Sequence, residues 1–371
     1  MVAILPSHFA VPMGVGVSAV CLGLWPEAPL AIRLVGAVLA AVNTAIFASL
    51  SLSLGVSFWK TEGGLFRLLK RTPDAMFGMG CIPIALGALV NGIVIFGQDE
   101  AFFASKGARD VLLTLATGLW VLQAVVSVAV AVTIPSLAAR KCLAASGDPR
   151  CLLAIVPPEV AAATGGLLAQ HLESEARVSA VLCLALALLG MSLGPAFAAL
   201  GKFADTVSRE GLPVGESALT AMIVLGPLGM CATALCTLSA AGRALAALTE
   251  AGSGLHDLAA TAPALGLLAL GVWGYGFWWL GTAYTALAVA VGQRRAGLQP
   301  PPTFLTWSIV FPNGAFTVAT LLLHRETDVP FFRLVGQLLV VFQFILLAYA
   351  AALTPQMIRA PRPGGGVVRE T

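Results

Sequence analysis

Residues 303–323 read TFLTWSIVFPNGAFTVATLLL, an apolar run with Pro312 near its middle. About 20 apolar residues make one helix across a lipid bilayer. Proline removes one helix hydrogen bond and frees the carbonyl group four residues back. In a bilayer, freed backbone is tolerated only where it is buried in protein or lines a watery cavity. The run therefore predicts a kinked membrane helix that faces the inside of the protein.

Similar runs recur along the whole chain. Of its 371 residues, 58% are hydrophobic and 11% are charged, whereas soluble proteins carry about 25% charged residues. This composition excludes a water-soluble protein and predicts one all-α membrane domain at 1–353, followed by a disordered cytoplasmic tail at 354–371. Apolar runs between short polar breaks predict ten helices, at 7–24, 30–57, 75–97, 109–134, 152–171, 177–200, 217–242, 263–292, 303–323 and 331–353.

Prolines in the middle of a segment alternate along the chain. They occur on the odd-numbered segments only, as Pro12, Pro83, Pro157 with Pro158, Pro227 and Pro312. The alternation favours a repeat of helix pairs, with five kinked helices around a central pore and five unbroken helices facing lipid. The alternative is that prolines are simply commoner in membrane helices. That alternative explains any one proline better than it explains the alternating set.

The charged and metal-binding residue types limit the remaining classes. Most Lys and Arg residues lie in loops on the side of the N-terminus, and positive charge marks the inner side of a membrane. We therefore expect a multi-pass protein of the plasma membrane with both termini in the cytoplasm. The sequence has no basic cluster with interleaved aromatic residues, the pattern that indicates nucleic-acid binding. The seven cysteines show no metal-site spacing, so we expect neither a metal nor a cofactor.

The odd segments carry few polar side chains and no Lys or Arg in mid-span. A cation path would show rings of acidic groups, whereas these segments contain one carboxylate. A path for anions or neutral solutes fits better, with backbone N–H groups and helix ends as its donors. No convergent catalytic motif is present, so we expect no enzyme. The polar residues are His8, Asn91, Glu159, Thr164, Thr220, Thr233, Asn313 and Thr317.

Three of these segments carry candidate functional side chains. Glu159 is a candidate for proton coupling or gating, because an acid inside a membrane is usually functional. Alternatively, it completes the first helical turn after the Pro157–Pro158 pair, where the helix dipole favours a carboxylate. His8 is a candidate pH sensor or an interfacial histidine. Phe311, next to the proline, could occlude a narrow axis as a hydrophobic gate, or could serve only in packing.

Five stretches of the chain resemble one family. They are 9–16 (FAVPMGVG), 88–93 (ALVNGI), 155–166 (IVPPEVAAATGG), 226–229 (GPLG) and 307–320 (WSIVFPNGAFTVAT). In this order they resemble the tellurite-resistance/dicarboxylate transporter family, which includes fungal malic acid transport proteins, sulfite efflux pumps and plant slow anion channels. The resemblance implies five helix pairs around one pore per protomer, usually in a homotrimer. It also matches Phe311 to the pore-plugging aromatic residue of the family.

The resemblance further implies a small anionic substrate that crosses the lipid bilayer. We expect C4-dicarboxylates such as malate, with sulfite efflux as the first alternative and a passive gated anion channel as the second. One departure affects substrate choice: Val15 stands where the family typically has threonine, so a hydroxyl near the pore is missing. The residues expected along the substrate pathway are Pro12, Met13, Pro83, Asn91, Pro157, Glu159, Thr164, Pro227, Asn313 and Thr317.

Overall fold

A computed structural model describes residues 4–60, 73–140, 148–213, 215–297 and 302–359. Within these ranges the chain is helical and contains no strand. In these ranges nine helices are long and apolar enough to cross a membrane, and a bent pair makes a tenth span if its two helices cross together. The ten main helices are α1 (Ala10–Leu24), α2 (Leu30–Lys60), α3 (Cys81–Gly97), α4 (Lys106–Arg140), α5 (Pro157–Ala169), α6 (Glu175–Glu210), α7 (Leu225–Leu248), α8 (Pro263–Arg295), α9 (Val310–Thr327) and α10 (Pro330–Arg359).

Each odd α-helix has its proline in its first turn and is not kinked by it in the middle. Proline is the first residue of α5 and the third residue of α1, α3, α7 and α9. The first turn of a helix suits proline, because its backbone N–H would have no helical partner there. A short 3-10 or α-helical segment leads into each odd helix, at Pro6–Phe9, Pro73–Gly80, Pro149–Ile155, Gly215–Val224 and Phe304–Ile309.

The five odd helices form a closed inner ring. Each packs against the next odd helix along the chain, and α9 packs against α1. Their leading segments contact one another around the same circle, so the prolines share one level. Each even helix lies outside the ring, against the odd helix before it and the odd helix after it. The fold is therefore five helix pairs arranged in two concentric layers.

Burial separates the two layers. In the most apolar window of each span, 72–100% of the residues are buried in α1, α3, α7 and α9. The corresponding share is 11–39% in the five even helices, whose large apolar side chains point outward, as Val38 and Leu267 do. Since no water-soluble protein exposes apolar surface so widely, the outer layer faces lipid. The expected all-helical membrane fold is confirmed.

The even helices extend beyond the predicted segments. They contain 30–36 residues, against 13–24 in the odd helices, because the leading segments complete the inner spans. Helix α10 continues to Arg359, past the expected start of the tail at residue 354. The remainder of the predicted tail, 360–371, lies outside the described residues.

Candidate functional site

The break in the helix before α5 leaves a backbone carbonyl without its helical hydrogen bond, and a side chain of α6 donates to that carbonyl. The chain bends by 47° between the short helix ending at Ile155 and α5. The N–H group of Glu159 donates to Val156 O at 2.9 Å, so the carbonyl of Ile155 is left without its helical partner. The hydroxyl of Ser192 on α6 donates to Ile155 O at 2.6 Å. The Pro157–Pro158 break is thus closed from the outer layer.

Glu159 is the most deeply buried acid of the described chain. Its side chain is 0% exposed, and neither carboxylate oxygen has a hydrogen-bond partner among the described residues. Ser192 of α6 and Cys231 of α7 lie near the carboxylate, but the Ser192 hydroxyl donates to Ile155 O instead. A buried polar group without a partner is costly and calls for an explanation. A proton or a passing ligand would supply the missing partner.

The side chains at the level of the prolines are buried. Met13 follows the proline of α1 and is 3% exposed, and Phe311 precedes the proline of α9 and is 5% exposed. The prolines themselves, including Pro12, Pro83 and Pro227, are buried. Together with Pro157 and Glu159 of α5, which are also buried, these side chains leave little room for water at this level. Solvent therefore does not reach these side chains in this conformation.

Asn313 faces the outer layer rather than standing free. Its Oδ1 accepts a hydrogen bond of 2.6 Å from the Tyr284 hydroxyl of α8. Its Nδ2 donates at 2.8 Å to Gln343 Oε1 of α10. The hydroxyl groups of Thr317 and Thr164 donate to backbone carbonyls four residues back, at 2.8 and 2.9 Å. These polar side chains are satisfied within the protein.

Two further candidates occupy the ends of the ring. His8 is buried, its Nδ1 accepts from Leu5 N at 2.7 Å, and its ring meets the edge of Phe304 at 4.2 Å. It thus lies among the leading segments below the prolines. Asn91, on the outer half of α3, is half-buried, and its Oδ1 has no partner among the described residues. The structure places His8, Met13 and Phe311 at the end of the ring where the prolines lie, and Asn91 lies farther along α3, in its C-terminal half.

Sequence reasoning missed the amide side chains of the even helices. Asn43 on α2, Gln123 on α4 and Gln343 on α10 are 0–1% exposed and point inward, against the ring. In Asn43 and Gln123 both amide atoms lack a partner among the described residues. The signal is an amide near the middle of each of these apolar segments, which is the only amide in segments 30–57 and 109–134 and one of two in segment 331–353. It was overlooked because only the odd segments were expected to carry functional groups.

Ion pairs join neighbouring helix pairs at the end of the bundle opposite the prolines, where the odd helices end and the even helices begin. In three places a base near the start of an even helix meets an acid from a loop of the neighbouring pair, and a fourth bridge joins α7 to α9. These contacts tie the ends of adjacent pairs to each other. No group of three or more His, Cys, Asp or Glu residues in the described ranges is arranged to hold a metal ion. The pairs are Arg33–Asp99, Lys106–Glu173, Glu27–Arg333 and Arg243–Glu326.

Comparison with known proteins agrees with this architecture. The family model named SLAC1, described as "Voltage-dependent anion channel", matches residues 4–355. The sulfite efflux pump SSU1 of Trichophyton rubrum is 26% identical over 343 residues, covering 89% of this chain and 84% of the pump. The SSU1 pumps of Arthroderma benhamiae and Arthroderma otae are 25% and 24% identical, with the same shares covered. Because the family model spans nearly the whole chain, the protein belongs to the SLAC1 family of anion channels and transporters.

Proposed function

We propose that the protein exports sulfite through the axis of the inner ring. The observation that carries this proposal is the match to three sulfite efflux pumps at 24–26% identity over 89% of the chain. The similarity includes the ring-forming helices, and it covers 84% of each pump. Since one fold serves many substrates, the choice of anion depends on the relatives and on the chemistry of the ring.

The ring chemistry supports a small anion. The middle of the odd helices carries no Lys or Arg, so the donors must be neutral. All five odd α-helices begin at one level, and the first turn of a helix presents N–H groups and the positive end of its dipole. Five such ends around one axis attract an anion without holding it as tightly as a fixed cation would.

Malate-type C4-dicarboxylates are the competing candidate. The Phe-Pro-Asn sequence at 311–313 favours them. However, Asn313 Oδ1 accepts from Tyr284 and Asn313 Nδ2 donates to Gln343, so the amide is directed at the outer helices and keeps at most one N–H group for a substrate. We therefore place sulfite first. A passive anion channel is the other reading of the same architecture, and it differs from a pump in its dependence on voltage alone.

Phe311 is the proposed gate. It lies next to Pro312, in the first turn of α9, and it is 5% exposed. An aromatic ring at the narrowest level of a pore blocks anions by excluding water. A packing residue would be buried as well, so the change in anion flux when the Phe311 ring is removed distinguishes a gate from a packing residue.

Proton coupling is assigned to Glu159, with His8 as a second candidate. Glu159 is fully buried and has no hydrogen-bond partner among the described residues, and acids in such positions commonly relay protons in transporters. His8 lies on the inner side of the prolines, where a proton would arrive from the cytoplasm. We further propose a homotrimer in the plasma membrane with both termini in the cytoplasm, as the basic inner loops and the family resemblance suggest.

Anion flux into proteoliposomes tests the proposal. Purified protein is reconstituted, and uptake of sulfite, malate and chloride is measured under the same concentration gradient. We expect sulfite to move fastest. Faster malate transport would reassign the substrate to C4-dicarboxylates, and chloride currents that follow voltage alone would indicate a channel. No flux of any of the three anions from correctly folded protein would overturn the proposed function.

A further inference from the structure

A chain of hydrogen bonds ties the first turn of α9 to three other helices. The Tyr284 hydroxyl donates to Asn313 Oδ1, and Asn313 Nδ2 donates to Gln343 Oε1. Gln343 Nε2 in turn donates at 2.9 Å to the Ser18 hydroxyl of α1, which donates at 2.8 Å to Gly14 O. The chain therefore links α8, α9, α10 and α1. Both ends of the Gln343 amide are satisfied, although the side chain is 0% exposed.

Gln343 belongs to α10 and lies against the contact between α9 and α1. A Cβ atom at Gly314 would lie 2.5 Å from Val17 Cγ1 and 3.0 Å from Gln343 Nε2, so only glycine allows these three helices to approach so closely. We call this contact the α9–α1 seam. Its glycine lies two residues after Pro312, which places the seam directly beside Phe311.

Two other seams repeat this arrangement without the hydrogen bonds. At the α1–α3 seam, a Cβ atom at Gly16 would lie 2.7 Å from Asn43 Nδ2 of α2. At the α3–α5 seam, a Cβ atom at Gly87 would lie 2.3 Å from Gln123 Nε2 of α4. Both amides are buried and unpaired among the described residues. At three contacts between odd helices, the amide of an even helix thus lies against a glycine of the ring. Of these three amides, only Gln343 has a hydrogen bond at both its oxygen and its nitrogen.

We propose that Gln343 is a positioning residue for Phe311, an inference that rests on the proposed function of Phe311 as the gate. Asn313 is two residues from Phe311, and the intervening Pro312 has a fixed φ angle. Holding the Asn313 amide therefore holds the backbone that carries the Phe311 ring. The α9–α1 seam is the fixed side of the barrier, and Gln343 acts through Asn313 without touching the anion.

The test compares two glutamine variants that differ in what they remove. Gln343→Leu keeps the size of the side chain but breaks two hydrogen bonds. We expect it to raise the resting leak of sulfite by about fivefold, the factor by which losing the one bond that holds Asn313 would shift an equilibrium. Gln123→Leu is the matched control, because the Gln123 amide has no hydrogen bond to lose within the described ranges. It should leave the leak within about twofold of the wild type.

A double variant separates positioning from general loosening. If Gln343 acts through Phe311, then Gln343→Leu adds no leak to a protein that already carries Phe311→Ala. Additive leaks in the double variant would overturn the inference, and so would equal leaks from Gln343→Leu and Gln123→Leu. Should Gln343→Leu fail to fold, Tyr284→Phe removes one bond of the same chain, and an unchanged leak in that variant would overturn the inference as well.

The proposed function and the positioning role fail in different ways. A leak raised by Phe311→Ala but not by a folded Gln343→Leu protein rejects the positioning role and keeps the gate. A leak unchanged by Phe311→Ala rejects the gate, and the positioning role with it. Absence of sulfite, malate and chloride flux from the wild type rejects the proposed function itself.

Discussion

Gly229 of α7 lies directly against the backbone of Phe316 of α9. A Cβ atom at Gly229 would stand 2.5 Å from the Phe316 nitrogen, closer than two such atoms can approach. This contact lets α7 and α9 pack with their backbones touching, and the Phe316 ring stacks on Trp273 of α8 at 5.7 Å. The wall of the ring beside the proposed gate is therefore set by one missing side chain.

Gly229→Ala should destabilise the protein, because the new methyl group meets backbone that cannot move aside. Overpacking of this kind costs about 1–3 kcal/mol, which we expect as a lower midpoint of thermal unfolding in detergent. Gly281→Ala on α8 is the control, since its added Cβ has no atom within 4 Å. An unchanged midpoint for Gly229→Ala would mean that α7 and α9 are not in direct backbone contact.

Phe311→Ala should raise the resting flux of sulfite, because it removes the ring that closes the axis. We expect at least about a tenfold increase, equivalent to a barrier lowered by about 1.4 kcal/mol. Phe197→Ala on α6 is the matched control, since Phe197 is 40% exposed on the outer layer. Proteoliposome flux measures both variants. Equal flux from the two would show that Phe311 serves in packing only.

Glu159→Gln should abolish the response of sulfite flux to an imposed pH gradient. The amide keeps the shape of the carboxyl group but cannot exchange a proton, so flux would depend on the sulfite gradient alone. Because sulfite itself takes up protons, the assay must vary the gradient at a constant external pH. Glu175→Gln, at the exposed start of α6, should retain the response. A response that persists in Glu159→Gln would remove this residue from the coupling mechanism.

The Arg243–Glu326 pair should stabilise the contact between α7 and α9. The guanidinium donates to both carboxylate oxygens, at 2.6 and 2.8 Å, and Glu326 is only 13% exposed. A double-mutant cycle with Arg243→Ala and Glu326→Ala should give a coupling energy of about 1 kcal/mol, measured by unfolding in detergent. High salt should reduce it. A coupling of zero at low salt would contradict a role for the pair in joining these helices.

The exposed Lys106–Glu173 pair provides the comparison for that cycle. Its hydrogen bond to the Lys106 ammonium holds the pKa of the Glu173 carboxyl below its usual range. The pair can therefore contribute at neutral pH, and its contribution disappears as the pH falls through that lowered pKa. Since both side chains are exposed, we expect a coupling energy smaller than that of Arg243–Glu326. A larger coupling energy for Lys106–Glu173 would mean that this loop contact contributes more to the free energy of unfolding than the ion pair between α7 and α9 does.

Much of the fold was predictable because its signals are local. Apolar length predicted the ten spans, and the alternation of Pro12, Pro83, Pro157, Pro227 and Pro312 predicted two layers of helices. The exact role of the prolines was not predictable, since a proline within an apolar run reads as a kink. The structure shows each proline in the first turn of an α-helix, where its missing N–H costs nothing.

The candidate site was predictable only in its residue types. Glu159 stood out because an acid is rare in such segments; it is fully buried, and its role in coupling stays a prediction. Asn313 was expected along the pathway, which remains a prediction, while its hydrogen bonds to Tyr284 and Gln343 run to the outer helices. Those partners come from distant segments, and no local pattern could have indicated them.

The sequence by itself determined a membrane protein of ten helices in two classes, because hydrophobicity and proline act within a single segment. Only the tertiary structure decided how the ring closes and which buried amides are bonded. Gln343 meets Ser18 across 325 residues of chain, while Gln123 in a similar setting meets no partner in the part of the chain that the structure describes. Hydrogen bonds depend on distances of a few tenths of an ångström between helices, and such distances are set by packing, for example by the missing side chain of Gly314.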